Sequence, residues 1–223
     1  MRHIERLVCP DILSRKHDEW QQKFDEKRHN DSKARPDNSK YAHKDIRRQL
    51  STMSFGKCFY CESLLSNSPK EVDHFIEVAI DSAKAYTWEN LYLSCSNCND
   101  KLPHNQIPVD SALDPCRDSD EFIRANISFD KEFIVSVPGS PMGDNTIKKF
   151  RLSDEQLDNK RMKWLRIIDE TVRNVLINMI KDGRKKFNKA ELSLIESFKE
   201  PCRPYSYMSE VYIDRMADLK DFM

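Results

Sequence analysis

Apolar residues recur at spacings of three and four in several stretches of this chain, and such spacing predicts helices. The clearest stretch lies between 153 and 182, where Trp164, Ile168, Val172, Val175 and Met179 mark one face and Ile180 follows. Ser153 offers an N-cap ahead of Asp154 and Glu155, and Gly183 offers a stop. A shorter helix is expected from Asn188 to Phe198, ended before Pro201. Near the start, Trp20 and Phe24 lie four apart within a helix expected over Ser14–Arg28. Ile46 and Leu50 do the same within Tyr41–Met53. Between them, Asn30 to Lys40 carries Pro36, Asn38 and several charges, and reads as a loop or linker.

Beyond residue 54 the pattern changes. Glu71 to Ile76 is short and partly apolar, as in a strand that ends beside a site, and Trp88 to Ser94 is a second apolar run. A short helix should open at the following cysteines. Ile127 to Val137 has strand composition with a turn at Asp130-Lys131, and Pro138, Gly139, Pro141 and Gly143 read as a break. These shifts divide the chain into an N-terminal helical segment with a polar linker (1–53), a compact middle (54–110), and a C-terminal region of hairpin and long amphipathic helices (111–223). The fold class is α+β, predominantly helical.

Charged residues make up 33% of the 223, and only four glycines are present, which suits a helix-rich protein. Lys plus Arg equals Asp plus Glu at 37 each. Zero net charge argues against strong non-specific nucleic-acid binding by the chain alone; it leaves room for local basic patches or for a partner that supplies charge. No apolar run reaches membrane-spanning length and no secretory signal is visible, so a cytoplasmic protein with no membrane partner is expected.

Seven cysteines are present, and four form two C-x-x-C pairs, Cys58/Cys61 and Cys95/Cys98. In a chain without an export signal, that spacing reads as metal binding rather than a disulfide framework. Four thiolates supply the tetrahedral set that structural Zn²⁺ prefers, with no position left open for catalysis. Such an ion would replace a core that this short polar segment cannot build. Cys9, Cys116 and Cys202 lack paired spacing and read as packing or exposed thiols.

Between the pairs lie Asp73-His74 and then Asn90, and Asn99 follows Cys98 directly. The order CxxC, DH, EN, CxxCN resembles that of the HNH endonucleases over about Phe55 to Pro108. The resemblance implies a zinc-stapled ββα-metal core. It implies that His74 is the general base that deprotonates water. It makes Asp73 and Asn99 ligands of a catalytic cation, and it gives Asn90 the task of holding the catalytic loop through backbone hydrogen bonds. A carboxylate and an amide oxygen are hard donors suited to Mg²⁺ or Mn²⁺. Phosphate also calls for a nearby cation, and Lys101 is the candidate. Lys101 stands two places after Asn99 where the family often has three, and Pro103 should end or bend the helix. His104 reads either as a ligand or second-layer group, or as a loop histidine.

The flanking stretches Cys-Phe-Tyr-Cys-Glu, Val-Asp-His-Phe-Ile, Asn-Leu-Tyr-Leu-Ser-Cys and Ala-Leu-Asp-Pro-Cys look like those of PtuB-like HNH proteins. That family implies anti-phage defence in Septu systems with an ABC/SMC-type ATPase, PtuA, and in some cases with retron components. The apolar stripe of the long helix either packs into its own fold or offers a docking surface. The run Arg184-Lys185-Lys186 is either a solvated helix end or a phosphate contact. The activity expected is nuclease, with DNA the default substrate and RNA, including tRNA, the alternative. The contrasting reading is a zinc-stabilised nucleic-acid-binding or adaptor module without activity.

Overall fold

A computed structural model describes residues 1–66, 70–216 and 222. Helix α1 (Asp11–Asn30) buries Leu13, Trp20 and Phe24 on one face. Trp20 and Phe24 close on the Tyr86 ring at centroid distances of 5.8 and 6.3 Å. The helix expected over Tyr41–Met53 is divided into α2 (Asn38–Tyr41) and α3 (Lys44–Met53). The break has a local cause. His43 is extended, and its ring accepts from the Asp45 N–H, so it starts a new helix rather than continuing the old one. Asp37 caps α2 in the same way through Ser39.

Strands β1 (Glu71–His74) and β2 (Leu91–Ser94) pair antiparallel, with Asp73 opposite Tyr92 and His74 opposite Leu91. The two-residue period puts Glu71 and Asp73 on one face and Val72 and His74 on the other. A single 3-10 turn, Trp88–Asn90, leads into β2, and the short α4 (Ser96–Asn99) follows it. This strand–strand–helix unit carries both cysteine pairs. The first cysteine turn is tied to β2 by Phe59 N–H donating to the Leu93 carbonyl at 2.9 Å.

The C-terminal region adds α5 (Asp120–Asn126) and a second antiparallel hairpin, β3 (Ile127–Asp130) and β4 (Phe133–Ser136), in the position expected. Where a break was expected at 138–143, α6 (Pro141–Lys149) begins instead. The turn residues are there, but Ser140 caps the helix, and Pro141 occupies a first-turn position whose missing N–H costs nothing. Gly143 lets α6 lie against the Asn126 carbonyl; a Cβ there would stand 2.0 Å from that oxygen.

Helix α7 (Glu155–Lys181) is capped by Asp154 rather than Ser153. Its buried stripe is Leu157, Arg161, Leu165, Ile168, Val172, Val175 and Met179. Trp164 packs on Phe198 at 5.7 Å and donates to the Ser209 hydroxyl, so most of the expected stripe turns into the fold. Ile180 is 69% exposed. Gly183, at φ +65°, ends the helix, with Arg184 N–H on Met179 and Gly183 N–H on Ile180 in a Schellman arrangement. Helix α8 (Lys189–Glu196) begins in a capping box formed by Asn188 and Glu191, and α9 (Ser206–Asp214) follows.

The buried side chains form one cluster drawing on all three segments of the chain. Phe150, just past α6, stacks on Tyr60 at 4.1 Å, and Phe75 stacks on Tyr92 at 4.8 Å. These rings join the C-terminal region to the back of the β1–β2 hairpin. Among the described residues no helix is long and apolar enough to cross a membrane.

Candidate active site

The four cysteine sulfurs of Cys58, Cys61, Cys95 and Cys98 lie within 4.8 Å of one another. Sulfurs about 2.3 Å from a shared tetrahedral ion stand about 3.8 Å apart, and Cys61 Sγ and Cys95 Sγ are separated by 3.8 Å. Cys58, Cys61 and Cys98 are buried. The cluster therefore fits one Zn²⁺ in geometry and in ligand chemistry, and leaves no coordination position for substrate.

His74 ends β1, and its ring is largely enclosed. Tyr41 covers it at a centroid distance of 4.6 Å, and Nε2 lies 2.8 Å from the Ala85 carbonyl oxygen. A carbonyl can only accept, so Nε2 carries a proton, and in the neutral ring the lone pair is left on Nδ1. Burial pushes the imidazole below its ordinary value. The Ala85 bond and the Asp73 charge oppose that, and Lys101 adds to it. The net result is a ring that stays neutral near pH 7 and offers Nδ1 as a proton acceptor.

Asn90 sits buried at the end of the 3-10 turn. Its side-chain oxygen accepts from Ile76 N–H at 2.7 Å, and its amide donates to the carbonyls of Ile76 and Lys84 at 3.0 and 3.1 Å. Phe75 N–H donates to its backbone carbonyl at 2.9 Å. One side chain thus clamps the strand exit just after His74, which is why β1 stops at His74 rather than running on to Ile76. Arg6 steadies the same turn, donating to the carbonyls of Trp88, Glu89 and Leu91 at 2.8–2.9 Å.

Asp73 points away from His74 and is buried. Lys101 Nζ lies 2.9 and 2.8 Å from its two oxygens, and the Tyr60 hydroxyl donates to Oδ2 at 2.6 Å. The same ammonium also donates to the His74 and Phe75 carbonyls. Lys101 was expected to face a phosphate. It turns inward instead, because four acceptors surround its three N–H groups. Asn99, at the end of α4, hydrogen-bonds the Glu71 carboxylate rather than Asp73. The helix ends there, ahead of Pro103.

In donor type, Asp73, Asn99 and the adjoining Glu71 suit a hard divalent cation. Lys101 already places a positive charge on both Asp73 oxygens, so a cation arriving at Asp73 competes with it. His104 lies on a turn. Its Nδ1 accepts from Val109 N–H at 3.5 Å and stands 4.0 Å from Glu77. Glu77 is bonded by the fully buried Lys149, whose ammonium also reaches the Ile107 carbonyl.

Local sequence marks only some of these groups. Glu71 had a usable signal, since it precedes Asp73 by the strand period. Tyr60 lies inside the first cysteine pair. Tyr41, Ala85, Arg6 and Lys149 reach the site only through long-range packing, and no local pattern marks them.

Residues 58–105 match the family model described as HNH endonuclease. The chain is 24% identical to the Septu protein PtuB of Bacillus mycoides (strain KBAB4) over 234 residues, a match that covers 82% of this chain and 78% of that protein. It is 32% identical to the Septu protein PtuB of Bacillus thuringiensis over 84 residues, covering 37% of this chain and 33% of that one. With its cysteine cluster, ββα unit and clamped histidine in the matched span, the chain carries an HNH endonuclease domain and is a nuclease that resembles PtuB.

Proposed function

We propose that this protein is a metal-dependent nuclease that hydrolyses phosphodiester bonds in nucleic acid, and that it acts as the effector subunit of a Septu-type anti-phage complex with a PtuA-like ATPase. DNA is the default substrate, with RNA, including tRNA, as the second class. The observation that carries the activity is the state of His74: the Ala85 carbonyl holds the proton on Nε2 and leaves Nδ1 free to act as a base.

In this reading His74 Nδ1 takes a proton from water as the water oxygen attacks phosphorus, and the bond from phosphorus to the leaving oxygen breaks. Asn90 keeps the base in place by fixing the loop at Ile76. Asp73 and Asn99 would hold Mg²⁺ or Mn²⁺, which when bound stabilises charge on the scissile phosphate and leaving oxygen. Lys101 acts as a positioning residue, holding Asp73 and the two carbonyls that follow it. The four cysteines hold a structural Zn²⁺ separate from the catalytic cation.

The alternative, an inactive zinc-stabilised binding or adaptor module, draws support from the same lysine: an Asp73 fully engaged by Lys101 and Tyr60 is a poor metal ligand. The two readings separate in a cleavage assay on duplex DNA and total RNA. The assay uses the chain with and without the co-expressed ATPase, with Mg²⁺ or EDTA, and a His74→Ala control. Cation-dependent cutting lost in His74→Ala supports the nuclease. A folded, zinc-loaded protein that cuts nothing under any of these conditions supports the module.

A further inference from the structure

A protein with 37 cationic and 37 anionic side chains has no overall attraction for a polyanion. Its charges are unevenly placed, however. Residues 27–48 hold eight lysines and arginines against three aspartates. This same segment packs over the candidate base. Tyr41 lies on His74 at 4.6 Å. The Asp37 backbone N–H donates to the Tyr86 hydroxyl at 3.0 Å, and Tyr86 follows directly on Ala85, whose carbonyl holds the His74 ring. The N-terminal segment is therefore anchored to the same short loop that orients the base.

Within it, Arg35 and Arg47 are exposed and make no side-chain hydrogen bond or ion pair with any described residue. Their neighbours differ: Arg48 is paired with Asp45 at 2.7 Å, and Lys40 stands 4.0 Å from Asp37. The Tyr41 hydroxyl likewise bonds no described residue. Burial raises its pKa and the Asp73 charge adds to that, while the charges of Arg35 and Arg47 pull the other way, so both guanidinium charges are felt at the ring that covers His74. A free, planar guanidinium is the side chain best suited to take a phosphate through two parallel hydrogen bonds.

We infer that Arg35 and Arg47, which flank Tyr41 along the chain, form a phosphodiester-binding wall that holds the nucleic-acid backbone beside His74. The identity of the ligand rests on the nuclease reading above; the placement of the wall does not. The wall concentrates the positive charge of a neutral chain at its site, so grip on the backbone is confined to the face where cutting occurs.

The test uses the full chain as His74→Ala, so that substrate persists, with and without Arg35→Glu/Arg47→Glu. Lys160→Glu/Lys163→Glu is the control; it makes the same change in charge at exposed positions elsewhere. Fluorescence anisotropy follows a short labelled duplex DNA and a short labelled RNA over a range of salt. With the wall intact, binding to one or both should weaken with salt. Reversing Arg35 and Arg47 should weaken it at least about tenfold and flatten the log–log salt slope, by about 1.8 for duplex DNA or about 1.4 for single strands, two phosphate contacts being lost. The arm that responds names the nucleic acid. Affinity and slope equal to those of the Lys160/Lys163 control overturn the proposal, as does failure of the parent to bind either ligand. The nuclease reading falls separately, only if the His74-intact chain also fails to cut; retained cutting at unchanged KM in the Arg35/Arg47 variant removes the wall and keeps the nuclease.

Discussion

Replacing Lys101 with methionine strips Asp73 of its counter-charge while keeping the aliphatic stem in place. The two side chains are 6% and 7% exposed, so water cannot take over the lost interaction. Breaking a buried pair by removing one partner costs about 3–5 kcal/mol. Tyr60 still donates to Oδ2, which puts the expected loss toward the lower end of that range. Neutralising the carboxylate as well should recover most of it. Asp73→Asn/Lys101→Met should therefore lie well above the sum of its single variants, with a coupling energy of at least about 2 kcal/mol. Urea denaturation followed by circular dichroism, with zinc held saturating in every sample, measures all four corners of the cycle. A divalent cation gives a second readout. If Asp73 can bind one once its ammonium is gone, Mn²⁺ should stabilise Lys101→Met in a saturable way, by about 2.7 kcal/mol at a hundred times its Kd. The double variant should not respond. A loss below about 1 kcal/mol in Lys101→Met, with strictly additive singles, would refute the view of Lys101 as a clamp on Asp73.

Asn90→Ala removes one acceptor and two donors from the turn after His74, and should cost about 2–4 kcal/mol in denaturation while lowering kcat with little change in KM. Asn90→Asp keeps the acceptor for Ile76 but sets a carboxylate oxygen against the Ile76 and Lys84 carbonyls, and should cost at least as much as Asn90→Ala. Removing zinc with a strong chelator, or changing Cys61 to serine, should unfold the span that holds β1 and β2; elemental analysis should give one zinc per folded chain and near-UV circular dichroism should report the loss. Glu62 is buried, which by itself would raise its pKa, but the Met1 amino group and Lys57 hold it well below the ordinary carboxylate range. Its contribution is thus complete above the unfolded carboxylate value and is lost as pH falls toward the folded one, so Glu62→Gln should flatten the acid limb of a stability–pH curve and leave its shape near neutrality unchanged. Gly143→Ala should cost more than about 2 kcal/mol, because the added methyl meets the Asn126 carbonyl; a neutral melting temperature would show that α6 can shift away.

Much of the site could be read from spacing alone. Two residues between cysteines force both thiols to one side of a tight turn, so Cys58/Cys61 and Cys95/Cys98 announce a metal cluster before any packing is known. The stripe of Trp164, Ile168, Val172, Val175 and Met179 announces an inward-packing helix face for the same kind of reason, since 3.6 residues per turn bring those positions into line. In both cases the geometry follows from covalent structure within a few residues.

Tertiary structure decided the rest. Pro141 and Gly143 look like a break when read along the chain, yet they start α6, because Ser140 satisfies the cap and the Asn126 carbonyl needs a neighbour without a side chain. Lys101 looks free for phosphate until β1 brings the Asp73 carboxylate and the carbonyls of His74 and Phe75 around its ammonium. His74 becomes a neutral imidazole with its proton on a known nitrogen only when Ala85 and Tyr41, from other parts of the chain, close on it. The sequence by itself determined which residues are candidates for the chemistry. Their protonation, partners and direction belong to the tertiary structure, since electrostatic environment is set by neighbours in space rather than by neighbours along the chain.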